Sequence, residues 1–282
     1  MSGSSARKLR RGNANLLPGR VHTYELGPLT CGELDYQLDS RVALATGTLP
    51  GVFTERDAAT RQKTLRSYAA TYLKEEVQAE SLTRNLEGFA RFLGVTAVWA
   101  GQHLDLSKLA AAAQVARQSA VRYFEILEDT LIVRRAEPFT RSLSRRLVQH
   151  PKFYFFDVGV RNGLLGSFDA SADRVGSLFE QLVFSQLVAG AAAADVDLRI
   201  ASYRTAHGGE VDLIVERPRQ VWAIELKAGR TVSGTDLRGL RSFGEFYGKR
   251  HQARVWYLGD ERRRVDGVDV LPWQEGVREM GL

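Results

Sequence analysis

The segment Glu210 to Lys227, "EVDLIVERPRQVWAIELK", carries Asp212, Glu225 and Lys227 in an arrangement that could hold a divalent metal and hydrolyse a phosphodiester. It reads as two alternating strands joined by a tight turn, with Pro218 at the second position of a type I turn. Symmetric pairing about Pro218 and Arg219 sets Arg217 opposite Gln220 and Asp212 opposite Glu225. Side chains so opposed stand roughly 4.5–5.5 Å apart at Cβ, where like charges destabilise. Two carboxylates in that position want a cation, and Lys227, on the same face as Glu225, supplies one charge. A Mg²⁺ or Mn²⁺ ion at Asp212 and Glu225 would supply the rest, since Mg²⁺ takes one or two carboxylates plus water and substrate phosphate. Lys227 could then orient or deprotonate the attacking water, or stabilise charge on the phosphate. An ordinary amphipathic hairpin with a Glu/Lys ion pair on its polar face presents the same residues. Period-two alternation puts Val211, Leu213 and Val215 on the face opposite Asp212.

The elements around the hairpin must position these groups. Ahead of it, "GSLFEQLVFSQLVAG" has helical spacing and places Glu180 on a face with Val183, Phe184 and Leu187. A carboxylate in so apolar a run needs a partner. A strand near 197–205, the hairpin, a helix over 235–247 and a strand from Arg254 complete the order helix, three strands, helix, strand. That order, with Glu180 on the first helix and "ELK" as an E-x-K, resembles the PD-(D/E)XK nuclease-like core. The resemblance implies a restriction-endonuclease-like αβββαβ fold with Glu180, Asp212, Glu225 and Lys227 as its catalytic set.

The whole chain resembles the C-terminal part of a prokaryotic AAA-type ATPase bearing a C-terminal domain of unknown function. The stretches that carry this likeness are "GSSARKLRRGNANLLPGR", "GTLPGVF", "LRSYAATYLKEEV", "KFYFFDVGVRNGLLG", "GSLFEQLVF", "GGEVDLIV" and "AIELKAG". It implies three parts: a remnant of the ATPase module over 1–50, a helical region over 51–165, and the nuclease-like domain over 166–282. Ser4, Ser5 and Arg20 fall where the likeness places residues near a nucleotide γ-phosphate. No G-x-x-x-x-G-K-[ST] loop occurs, so the backbone cradle and lysine that hold nucleotide phosphates are missing. ATP binding by this chain alone is not expected, and a partner ATPase subunit is.

Within the helical region, "LDLSKLAAAAQVARQSAVRYFEILEDTLIVRR" reads as helix, turn, helix and strand and resembles a winged helix-turn-helix. Arg117, Gln118, Ser119 and Arg122 on the second helix are its candidate DNA contacts. Glu125, Glu128 and Asp129 follow and would repel phosphate. The fold class expected is mixed α/β, a helical winged-helix-like region followed by the αβββαβ core.

Composition is that of a globular chain: 282 residues, 44% hydrophobic, 26% charged. A net charge of +6 and a pI near 9.5 favour a polyanion such as DNA as partner. Cys31 is the one cysteine, which excludes an internal disulfide and a cysteine zinc site. The histidines lack ligand spacing, although His207 lies beside the hairpin. No continuous apolar run has the ~18 residues of a membrane span, and there is no secretory leader pattern, so a cytoplasmic protein without membrane contact is expected.

Overall fold

The computed structural model describes residues 25–72, 85–139, 150–206 and 208–282. Ser4, Ser5, Arg20 and His207 lie outside the described residues.

The first elements are short helices set by their caps. Asp39 accepts from the Arg41 and Val42 N–H groups and starts α1, Ser40–Thr46. Pro50 opens α2, Pro50–Phe53, at the position where its missing N–H costs nothing. Asp57 caps α3, Ala58–Ser67, which runs into a π turn over Tyr68–Tyr72. Asn85 caps α4, Leu86–Trp99, and Asp105 caps α5, Leu106–Ala112. A turn through Gln114, whose φ is 54°, leads to α6, Arg117–Asp129. Strands β1, Val133–Pro138, and β2, Lys152–Phe155, pair antiparallel as the wing after this helix-turn-helix. Phe89, Phe92, Tyr123, Phe124 and Phe153 form its core, with Phe124 edge-on to Phe153 tying α6 to the wing.

Next comes α7, Val158–Leu165, then α8, Val175–Ala193, followed by β3, Arg199–Arg204, β4, Glu210–Arg217, and β5, Gln220–Lys227. A 3₁₀ turn, Gly234–Leu237, feeds α9, Arg238–Tyr247, and β6, Gln252–Tyr257, lies parallel to β5. The chain closes with β7, Arg263–Val265, β8, Val268–Pro272, and α10, Trp273–Glu279. The fold is mixed α/β, with the helix–three strands–helix–strand order running from α8 to β6. The eight strands of the described residues join one sheet in the order β2-β1-β3-β4-β5-β6-β8-β7. The wing therefore extends the sheet, with β1 parallel to β3 at Glu137 and Ala201.

Alternation along β5 splits the core. Trp222, Ile224 and Leu226 meet Leu178, Leu182 and Val183 of α8, whereas Val221 and Ala223 meet Leu240 and Phe243 of α9. Gly239 lets α9 seat on β4, because a Cβ there would fall 1.7 Å from the Glu210 carbonyl oxygen. By length and hydropathy α8 could cross a membrane, unlike any continuous apolar run, but two-thirds of that stretch is buried in this core.

Two expectations are corrected here. The β4–β5 register is the anticipated one from Arg217 opposite Gln220 to Leu213 opposite Ile224, but it ends there, short of the expected Asp212–Glu225 pair, and Arg219 has φ of 70°. That value belongs at the third position of a type II turn and rules out type I. In β4 the strict alternation fails as well. Ala201 pairs with Ile214 and Tyr203 with Val211, so Asp212 and Leu213 share the place opposite Ser202. This bulge turns Val211 to the α9 side with Ile214, while Leu213 and Val215 face α8.

Candidate active site

The bulge decides where Asp212 points. Its Oδ2 accepts the Leu226 N–H at 2.8 Å, so the carboxylate spans to β5 just where regular β4–β5 pairing has ended. On β5, Glu225 Oε1 meets Lys227 Nζ at 3.0 Å, and Lys227 also reaches Asp236 of the 3₁₀ turn at 3.4 Å. Asp236 is held in turn by the Ser233 N–H and hydroxyl in a capping box. Glu225 Oε2 is buried and has no hydrogen-bond partner.

Glu180 approaches from α8, but its partners come from the wing. Lys152 Nζ of β2 lies 2.8 Å from Glu180 Oε1 and 3.0 Å from Glu210 Oε1, and the Tyr154 hydroxyl donates to Glu180 Oε1 at 2.6 Å. Stacking on Phe184 fixes the Tyr154 ring. Arg204 flanks Glu210 at 3.7 Å. The structure thus brings Asp212, Glu225 and Lys227 together, and Glu180 near them but already engaged. Lys152, Tyr154, Glu210 and Asp236 join the site without having been singled out in the sequence. The available signal was a lysine opening the wholly buried strand "KFYF", a cation that needs an anion just as Glu180 needs a cation.

The electrostatics follow from this crowding. Burial, reinforced by Glu180 and Glu225, pushes the Asp212 carboxyl well above its usual range, against Lys152 and the Leu226 N–H. Burial also raises Glu225, with Lys227 opposing. For Lys227, burial works against the ammonium, but Glu225 and Asp236 outweigh it and hold its pKa above the ordinary lysine value. Lys152 behaves alike: burial opposes its charge, and the oxygens of Tyr154, Glu180, Asp212 and Glu210 more than restore it. Both lysines are therefore protonated. This favours Lys227 as a stabiliser of anionic charge and a holder of water rather than as a base.

A divalent ion fits the Asp212–Glu225 end on three grounds. One oxygen of Glu225 lacks any partner, Asp212 faces the carboxylates of Glu180 and Glu225 with only partial relief from Lys152 and the Leu226 N–H, and the donor set is all oxygen. Among the described residues no three His, Cys, Asp or Glu side chains are gathered into a metal cluster.

The helix-turn-helix residues lie apart. Arg117, Gln118 and Arg122 are exposed on α6, and the Arg117 Nε also donates to Ser107 Oγ of α5 at 3.1 Å. Of the acidic residues that follow, Glu128 is matched by Arg135 of β1 at 2.6 Å. Its repulsion of a polyanion is smaller than the bare sequence implies.

Fold and site together define a mixed α/β protein, a helix-turn-helix segment whose following strands join a mixed sheet bearing a carboxylate–lysine cluster. Residues 38–171 match the model of a domain of unknown function (DUF8612), and residues 175–275 match a second domain of unknown function (DUF4143). The chain is 30% identical over 230 residues to the uncharacterized protein Rv2008c of Mycobacterium tuberculosis and, equally, to the uncharacterized protein Mb2031c of Mycobacterium bovis. Those alignments cover 80% of this chain and 51% of each relative, so the chain spans about half the length of the curated relatives it matches. No solved structure matches it.

Proposed function

We propose that the chain is a DNA-engaging, nuclease-like module of PD-(D/E)XK type that uses Mg²⁺ or Mn²⁺ at Asp212 and Glu225. The observation that carries this reading is the buried, partnerless Glu225 Oε2 beside the repelled Asp212 carboxylate and a protonated Lys227. When bound, the ion would polarise phosphate and lower the pKa of water. Lys227 places positive charge where a phosphate oxygen gains negative charge, and Asp236 keeps that ammonium aimed along the polar face. Asp212 is fixed through the Leu226 N–H, so its free oxygen is oriented before any ligand arrives. Exposed Arg117, Gln118 and Arg122 offer the second contact to DNA. Purified chain with Mg²⁺ or Mn²⁺ should nick supercoiled plasmid or cut single-stranded DNA, and Asp212→Ala should lower the rate by roughly 100-fold or more. Equal residual activity in the variant overturns the catalytic reading.

A second reading, a non-catalytic nucleic-acid or protein-binding subunit, is favoured by one observation: Glu180 is occupied by Lys152 and Tyr154. It predicts salt-sensitive DNA binding without cleavage. The likeness to ATPase C-terminal regions supports operation beside an ATP-binding partner, with nucleotide hydrolysis supplied outside these residues. A same-frame Walker loop in the DNA upstream of Met1 would establish that arrangement.

A further inference from the structure

The groups that bind Glu180 come from the other segment of the molecule. Lys152 belongs to the wing, yet its side chain is 4% exposed and its Nζ sits between Glu180 and Glu210 at 2.8 and 3.0 Å. Its backbone is clamped on both sides, by Ala136 of β1 and by an antiparallel bridge to His103. The ammonium therefore cannot swing away as a surface lysine would. It occupies, between two carboxylates next to Asp212, a place that a second divalent ion would need, and like charge excludes such an ion.

We propose that Lys152 is the resident cation of this site, standing in for a second divalent ion, so that the cluster takes one metal at Asp212 and Glu225. The inference rests on the metal reading proposed above and adds the stoichiometry and the residue that sets it. Two-metal phosphodiesterases hold ions about 3.5–4 Å apart to clamp both the attacking and the leaving oxygen. Here a protein ammonium between Glu180 and Glu210 would take the role of one of the two ions. Lys152 is thus a positioning residue: it holds Glu180 and Glu210 and reduces the negative field at Asp212. The wing becomes part of the site, because its second strand, β2, delivers this cation.

The test is Mn²⁺ titration of the full chain followed by electron paramagnetic resonance, which separates one isolated ion from a spin-coupled pair. The wild-type chain should bind one uncoupled Mn²⁺. In Lys152→Gln, with Glu180 and Glu210 released, the count should double to a coupled pair, while Lys152→Arg should keep one ion. Two coupled ions in the wild type, or one ion in folded Lys152→Gln, overturn the role of Lys152 and leave the metal reading standing. No Mn²⁺ in the wild type overturns the metal reading itself. If Lys152→Gln does not fold, the wild-type and Lys152→Arg spectra decide: one uncoupled ion in both supports the proposal, and a coupled pair in either defeats it.

Discussion

Two buried polar regions lie one residue apart on α8, and they are built on opposite terms. Around α7, the buried side chains of Asp157, Arg161, Asn162 and Gln181 are hydrogen-bonded to one another and to neighbouring backbone. Asp157 accepts the Val160 and Thr48 N–H groups at 3.0 and 2.9 Å, and Asn162 donates to the Leu44 and Ala45 carbonyls while accepting from Arg174. Arg161 donates to the Ala97 carbonyl and to Gln181, whose amide returns to the Asp157 carbonyl. Gly47 and Gly159 make room: a Cβ on Gly47 would lie 2.2 Å from an Asp157 oxygen, and one on Gly159 equally close to the Thr46 carbonyl. This network joins α1, α4, α7 and α8. At the Glu180 cluster, by contrast, one oxygen of Glu225 is unmatched and Asp212 faces like charge. Complete satisfaction is what a fold needs from buried polar groups, and a standing deficit is what a ligand can exploit.

That contrast predicts opposite responses to substitution. Asn162→Ala leaves the Leu44 and Ala45 carbonyls without this donor and removes one of the acceptors of Arg174, and should cost about 3 kcal/mol, lowering the melting temperature by on the order of 5–10 °C. Calorimetry would show it with or without metal. Asp212→Asn should do the reverse and stabilise the metal-free chain at neutral pH by about 1–2 kcal/mol, because it removes a buried repelled charge. The sign follows from linkage. The folded pKa of Asp212 is raised, so its contribution is most favourable below the unfolded value and is lost as pH rises through the folded one. In chelator, wild-type stability should therefore fall with rising pH on this account, and Asp212→Asn should flatten the slope. Added Mn²⁺ should raise the melting temperature of the wild type and not of the variant. Equal destabilisation by Asn162→Ala and Asp212→Asn would erase the distinction between the two regions.

Different kinds of information explain what could be read in advance. The β4–β5 register was legible because the Pro218–Arg219 turn sets it locally, and the apolar surroundings of Glu180 announced a buried carboxylate. The α5–turn–α6 pattern was legible from helical spacing. The bulge at Asp212 was not, since a two-against-one count exists only relative to β3. Lys152 was hidden for the same reason at longer range. Residues 152 and 180 meet only because β1 pairs with both β2 and β3, a tertiary choice that neither local pattern records. Each was a buried charge without a visible partner, and the two solve one another's problem.

Smaller effects sharpen the comparison within the site. Glu225→Gln retains shape and replaces a carboxylate that has one unmatched oxygen, so stability should change by less than about 1 kcal/mol. Metal affinity should nevertheless drop about 10–100-fold, which titration calorimetry would read. A large stability loss with unchanged affinity would move Glu225 into the structural class represented by Asn162. The least disruptive changes are Arg117→Ala and Arg122→Ala, on exposed positions of α6 that contribute no core packing. Neither should alter melting. Each that touches a phosphate should lower the slope of log affinity against log salt by about 1, and weaken binding across all DNA sequences alike. Salt-dependent anisotropy on a short duplex measures that slope. An unchanged slope in both variants would take α6 out of DNA contact and leave its helix-turn-helix as the piece that carries the wing, and with it Lys152, to the sheet.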